Sequence, residues 1–202
     1  MLDIHRDRFK GLESKIANIS AVLPFTPNQY TFLSIVAALA MLCFIILGDF
    51  IVALALFAAA AGLDLVDGAV ARRKGLCGAR GAYWDTIADR YVEAIFLFGL
   101  LLIGLPDFYL PAAAWIFLAL AGSMMTTYVK AAAKEKGLSE VELKGGLMSR
   151  AERFALYGLI LLFLIFGRGD WAIAAAALAA LLANFTAIQR ISAALSKNKP
   201  TG

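Results

Sequence analysis

Apolar stretches of nearly bilayer-crossing length follow one another through this chain, with links between them as short as "GD" (48–49), "GLPD" (104–107) and "GRGD" (167–170). A helix rises about 1.5 Å per residue, so roughly 20 apolar residues cross a hydrocarbon core of about 30 Å. Stretches 28–48, 50–72, 81–104, 107–130, 148–167 and 171–193 approach that length, the second, third and fifth only with their charged ends included. With 61% of its 202 residues hydrophobic and a mean hydropathy of +0.77, the chain is too apolar for an ordinary soluble domain. Lipid offers the backbone no hydrogen-bond partners, so the spanning segments must satisfy their own polar groups. The expected fold is all-α: a polytopic membrane protein with six transmembrane helices, one domain over 1–202 with its bundle at 28–193.

The leading 24 residues are charged before they are apolar and lack the run and cleavage site of a signal peptide. Ile4, Phe9, Leu12, Ile16, Ile19 and Leu23 recur at three- and four-residue spacing. That pattern suits an amphipathic interfacial helix over 1–24, its lysines and arginines snorkelling to the headgroups, or a short helix packed on the bundle. Cys43 and Cys77 give neither a disulfide framework nor a metal-site spacing.

Six crossings place both termini on one side. Of the 19 basic residues, 18 then share that side and only Arg168 falls on the other. The positive-inside rule makes the basic side the cytoplasm. No internal repeat is visible, and residues 134–147 form the longest polar connection.

Four carboxylates stand where such a chain should least tolerate them: Asp64 and Asp67 in the second stretch, Asp85 and Asp89 in the third. A charge within a span costs a few kcal/mol and by default marks a site or a partner. Measured along the helices, Asp67 lies about 7.5 Å and Asp64 about 12 Å inward from Arg72, while Asp85 lies about 6 Å and Asp89 about 12 Å inward from Gly81. The two pairs therefore meet at matching depth, and spacings of three and four put each pair on one helix face. Such facing pairs make a hard-oxygen cage suited to two divalent ions, Mg²⁺ or Mn²⁺, which would also neutralise the crowded charge. Gly68 and Gly81 leave room beside the carboxylates, Ala69 and Ala71 keep the same turn slim, and Arg72 can hold a phosphate oxygen. Together these features point to a pyrophosphate-containing, nucleotide-activated substrate. Structural ion pairing with Arg72, Arg80 and Arg90 is the simpler alternative, but it does not require both pairs at one depth.

The same residues fill, without a gap, the pattern D-x2-D-G-x2-A-R-x8-G-x3-D-x3-D: Asp64, Asp67, Gly68, Ala71, Arg72, Gly81, Asp85 and Asp89. In this the chain resembles the CDP-alcohol phosphotransferases. The resemblance implies a homodimeric six-helix membrane enzyme that transfers a phosphate-linked alcohol from a CDP-activated donor to an acceptor hydroxyl and releases CMP. It implies that Asp64, Asp67 and Asp85 bind two metal ions. Asp89 would be the general base, also able to touch the second ion. Gly68 and Arg72 would contact the cytidine diphosphate, with Ala71, Gly81 and the three metal-binding aspartates beside it. The lead-in "TPNQYT" is similar to the family's, which implies that Pro27, Asn28, Gln29 and Thr31 help hold the nucleotide.

The acceptor is read from later segments. Lys130 in "TYVKAAAKEKGL", Arg150 and Arg153 in "MSRAERFALYG", and Arg190 in "AIQRISAAL" resemble positions in phosphatidylinositol-phosphate synthases and their archaeal archaetidylinositol-phosphate counterparts. The resemblance implies that Lys130, Arg153 and Arg190, with Arg150 as a further candidate, bind the phosphate of inositol 1-phosphate. Taken singly, basic residues at cytoplasmic helix ends are expected anyway. Ala132 departs from those enzymes, which often carry an arginine there, and Gly78 from their hydroxyl residue. Glu152 is expected to orient one of its neighbouring arginines and Glu93 to pair with Arg90. The expected partners are a CDP-linked lipid such as CDP-diacylglycerol or CDP-archaeol, a phosphorylated alcohol, membrane lipid and a second copy of the chain, with no nucleic acid. The expected location is a prokaryotic cell membrane, with the active site cytoplasmic.

Other readings stay open at this point. Glycerol 3-phosphate or serine acceptors, or a CDP-inositol donor, would keep the chemistry. An intramembrane prenyltransferase usually carries its two Asp-rich motifs in separate halves of a longer bundle. A cation transporter tends to place carboxylates at the midplane, on broken helices within repeats.

Overall fold

The computed structural model describes residues 26–73, 75–76, 78–138 and 146–196, so the expected surface helix over 1–24 and Cys77 lie outside the described residues. Those residues form α1 (Pro27–Ile46), α2 (Phe50–Arg73), α3 (Ala79–Leu102), α4 (Ala112–Glu135), α5 (Arg150–Ile165) and α6 (Gly169–Ser196). Four of the six, α1, α2, α4 and α6, are long and apolar enough to cross a membrane. The other two fall short for different reasons. Helix α3 carries Arg80, Asp85, Asp89, Arg90 and Glu93 along its length, and α5 has only 16 residues.

The short links form because one or two residues end one helix and begin the next. After α1, the Leu47, Gly48 and Asp49 N–H groups donate to the carbonyls of Cys43, Ile45 and Phe44 at 3.0–3.1 Å. Gly48 takes φ +78°, a left-handed conformation cheap only for glycine. Asp49 then caps α2, its Oδ1 accepting the Val52 N–H at 3.1 Å. At the other end of α1, the Thr26 N–H donates to Gln29 Oε1 at 2.7 Å, and Pro27 sits where a helix has no use for an N–H.

The largest departure from the sequence reading is at α4, expected over 107–130. Helix formation is delayed to Ala112 because Asp107–Pro111 makes a turn of its own. Phe108 and Leu110 bridge each other, Asp107 Oδ1 accepts the Ala112 N–H at 2.9 Å, and Trp115 Nε1 donates to the Phe108 carbonyl at 2.6 Å. The helix then runs on past Lys130 to Glu135.

The chain divides into two compact units, the first holding α1–α3 and the second holding α4, α6 and nearly all of α5. In the first, α1 packs on α2 and on α3. Its core includes Met41, Ile45, Phe57, Phe96, Leu97 and Leu100, with the Phe57 and Phe96 rings 5.4 Å apart. Gly99 lets α3 approach α1: a β-carbon there would lie 3.1 Å from Ile45 Cδ1. In the second unit α4 packs on α6, whose Ala172, Ala176, Ala179, Ala180, Ala183 and Ala187 are all buried. Small residues allow this closeness, as helices packed in lipid require. Asn184 fastens the contact, its Nδ2 donating at 2.8 Å to both the Leu118 and Ala180 carbonyls. Large apolar side chains such as Phe32, Phe98, Phe117 and Phe185 remain exposed, as on helices that face lipid.

Candidate active site

Helices α2 and α3 carry the aspartates. One carboxylate oxygen from each of Asp64, Asp67 and Asp85 lies within 4.8 Å of the other two. Asp64 and Asp85 are half-buried and Asp67 is only 5% exposed. Hard oxygens at this spacing, with no nitrogen or sulfur ligand in the group, fit Mg²⁺ or Mn²⁺. Asp89, one turn further along α3 and half-buried, is not in that group. Of the four carboxylates expected to form a cage, the structure brings those of Asp64, Asp67 and Asp85 together, with Asp89 one turn beyond Asp85 on α3.

The first turns of α1 lie against both aspartate helices. Thr31 Oγ1 is 2.7 Å from Asp67 Oδ2 and 3.2 Å from the carbonyl of Pro27. A hydroxyl has one proton, and the shorter, charge-assisted bond to the carboxylate claims it. The exposed Asn28 reaches α3, its Oδ1 4.0 Å from where a Gly81 β-carbon would stand. Gln29, also exposed, uses its side-chain oxygen on the Thr26 N–H. Beside the cluster, a β-carbon on Gly68 would lie 3.3 Å from Arg72 Nη1, so the exposed guanidinium folds back over the glycine. The small Ala71 is half-buried on the same turn.

Glu93 is fully buried and pairs with Arg90, Oε2 to Nη1, at 2.8 Å. This is the partner the sequence reading gave it. Pairing over three residues within one helix lets both charges remain inside the first unit.

The second unit holds the basic residues. Arg190 of α6 donates from Nη1 to the Thr126 carbonyl of α4 at 2.7 Å, and Lys130 lies one turn beyond Thr126. The start of α5 is tied to α6 as well: the Met148 N–H donates to Thr186 Oγ1 at 3.0 Å and the Leu147 N–H to Gln189 Oε1 at 3.0 Å. Arg153, one turn into α5, is 2% exposed. Arg150 places its Cζ 4.8 Å from the Phe154 ring centroid, in cation–π contact. Because Thr186 and Arg190 are one turn apart on α6, these ties gather Lys130, Arg153 and Arg190 toward one end of the unit. Glu152 accepts the Ser149 N–H at 2.6 Å and so helps cap α5, a role the sequence reading did not give it.

Two contacts were not read from the sequence. The Thr31–Asp67 bond joins residues 36 positions apart, and the Arg190–Thr126 bond joins residues 64 apart. Thr31 was named from the likeness of its lead-in alone, and spacing does not say which helix its hydroxyl faces.

Residues 25–188 match the family model of the CDP-alcohol phosphatidyltransferases. An archaetidylinositol phosphate synthase of Pyrococcus horikoshii is 32% identical over 193 residues, which cover 95% of each chain. A phosphatidylinositol phosphate synthase of Corynebacterium glutamicum is 31% identical over 166 residues, covering 79% of this chain and 74% of that one. The crystal structure of Mycobacterium tuberculosis phosphatidylinositol phosphate synthase with CDP-DAG bound has a TM-score of 0.78 at 23% identity. That match covers 94% of this chain and 98% of the other, and it is a likeness of fold.

Proposed function

We propose that this chain, which belongs to the CDP-alcohol phosphatidyltransferase family, moves a phosphatidyl-type group from a CDP-linked lipid to inositol 1-phosphate and releases CMP. The observation that carries the chemistry is the cluster of Asp64, Asp67 and Asp85 within 4.8 Å. The acceptor assignment is supported by relatives from an archaeon and a bacterium that are both named as synthases of a phosphorylated inositol lipid.

Asp64, Asp67 and Asp85, with Asp89 beside them, would hold two divalent ions, which when bound neutralise the pyrophosphate and the leaving CMP. Asp89 takes the proton of the attacking hydroxyl, a task suited to a carboxylate one helical turn beyond Asp85. Arg72 holds a donor phosphate oxygen, and Gly68, Ala71 and Gly81 keep the surrounding backbone open to the nucleotide. Pro27, Asn28 and Gln29 border the nucleotide from the start of α1. Lys130, Arg153 and Arg190 bind the acceptor phosphate, with Arg150 a further contributor, and Arg190 reaches this task already braced on the Thr126 carbonyl.

In this reading all six helices cross a prokaryotic cell membrane, α3 and α5 shielded by their neighbours. Both termini and the site face the cytoplasm, as 18 of 19 basic residues on one side favour. The working form is a homodimer.

The test is CMP release by purified protein given Mg²⁺ and a CDP-linked lipid, with inositol 1-phosphate, glycerol 3-phosphate, serine or free inositol offered in parallel. Release should depend on inositol 1-phosphate and vanish with EDTA and in Asp89→Asn. Release driven by glycerol 3-phosphate or serine would overturn the acceptor assignment and leave the chemistry standing. Silence with every acceptor would overturn the lipid-donor reading.

A further inference from the structure

The resemblance that gives Thr31 a place beside the nucleotide says nothing of its hydroxyl. In the structure that hydroxyl is 2.7 Å from Asp67 Oδ2, with Thr31 8% and Asp67 5% exposed. The bond crosses from α1 to α2, so it is no by-product of one helix's own geometry. A threonine inside a helix ordinarily bonds back to a carbonyl four residues earlier, here Pro27, yet that contact is the longer one at 3.2 Å. Little solvent reaches the pair, so the carboxylate cannot readily exchange this donor for water.

We infer that Thr31 is a positioning residue for the metal site, acting through Asp67 by holding one carboxylate oxygen and thereby aiming the other. The inference rests on the metal-binding reading above. Groups that hydrogen-bond a metal ligand fix its orientation, and removing them commonly weakens metal binding about 10- to 100-fold. Thr31 also carries the site's geometry to α1, whose Asn28 stands beside Gly81 of α3. The first two turns of α1 therefore brace α2 through a hydroxyl and adjoin α3 through a glycine. No cation and no anion is needed for that brace, only a donor of the right length at position 31.

The test uses Mn²⁺ itself as probe, with free Mn²⁺ measured by electron paramagnetic resonance on full-length protein in detergent, without substrate. Thr31→Val keeps the shape and removes the donor, whereas Thr31→Ser keeps the donor. The expected result is that Thr31→Val binds Mn²⁺ at least about 10-fold more weakly than the parent. Thr31→Ser should stay close to the parent. CMP release by Thr31→Val should recover as Mn²⁺ is raised. Equal Mn²⁺ affinity in Thr31→Val and the parent would overturn the inference. So would Thr31→Ser binding as weakly as Thr31→Val, because shape and not the hydroxyl would then matter. Release that excess Mn²⁺ cannot restore would also overturn it, since Thr31 would then act on the donor directly. A parent protein that binds no Mn²⁺ would refute the metal reading, a failure distinct from any difference among the variants.

Discussion

Replacing Gly122 by alanine tests how closely α4 and α6 are packed. A β-carbon at that position would lie 2.7 Å from Asn184 Nδ2, 2.8 Å from the Asn184 backbone nitrogen and 2.9 Å from Asn184 Cγ. Two of these atoms belong to a side chain that can swing away, at the expense of its hydrogen bonds to the Leu118 and Ala180 carbonyls. The third is main chain inside α6, and clearing it needs the helices to part by several tenths of an ångström. Overpacking of this kind costs about 1–3 kcal/mol, and the lost interhelical hydrogen bond adds about 0.6 kcal/mol in a membrane protein. Gly122→Ala should therefore destabilise by roughly 2–3 kcal/mol. Asn184→Ala alone should cost about 1 kcal/mol, because the carbonyls it leaves are already bonded within their helices. Combining the two removes the Nδ2 and Cγ clashes and leaves the backbone one. The double variant should then recover only part of the Gly122→Ala loss. Reversible unfolding in mixed detergent–SDS micelles, followed by circular dichroism, measures all three. A neutral Gly122→Ala, or full recovery in the double variant, would refute the claim that backbone contact limits this pair.

Arg190→Gln should raise the KM for the phosphorylated acceptor at least about 10-fold, since a charge-assisted contact is worth roughly 1.5–3 kcal/mol. CMP release titrated against acceptor and donor separately checks this, and an equal change in both would count against it. Glu93→Gln should lower stability by about 3 kcal/mol by leaving the Arg90 charge inside the unit without its carboxylate. The same unfolding assay should find Arg90→Met with Glu93→Leu more stable than Glu93→Gln. Asp85→Asn should abolish release and weaken Mn²⁺ binding about 10-fold or more, read by the same resonance titration as for Thr31.

Much of this could be read from the chain because lipid narrows the choices. Successive apolar blocks joined by links as short as two to four residues implied helices. The aspartates were conspicuous because carboxylates are costly in such surroundings, and their spacing within each helix fixed which share a face. Spacing did not fix rotation between helices, so it could not say which of the four carboxylates come within 4.8 Å of one another. The start of α4 was misplaced because Phe108, Tyr109 and Leu110 look apolar enough for a span. What holds them out of the helix is a turn of backbone bonds that composition does not register. Thr31 and Arg190 show the same limit, since each meets a partner on another helix that no periodicity can name.

The Gly48–Asp49 link and the Thr31–Asp67 bond sit at opposite ends of the α1–α2 pair. Thr31 is about 24 Å along α1 from the link and Asp67 about 26 Å along α2. On arms of that length, changing the angle between the helices by about 5° moves one end past the other by roughly 2 Å. A displacement of that size is enough to break a 2.7 Å hydrogen bond. On the inference that Thr31 aims Asp67, the link would act as a fulcrum and the hydroxyl as a latch, a small change in tilt at one end being magnified at the carboxylates. A change in the angle of this pair would then reach the carboxylates through Thr31, as a change in the aim of Asp67.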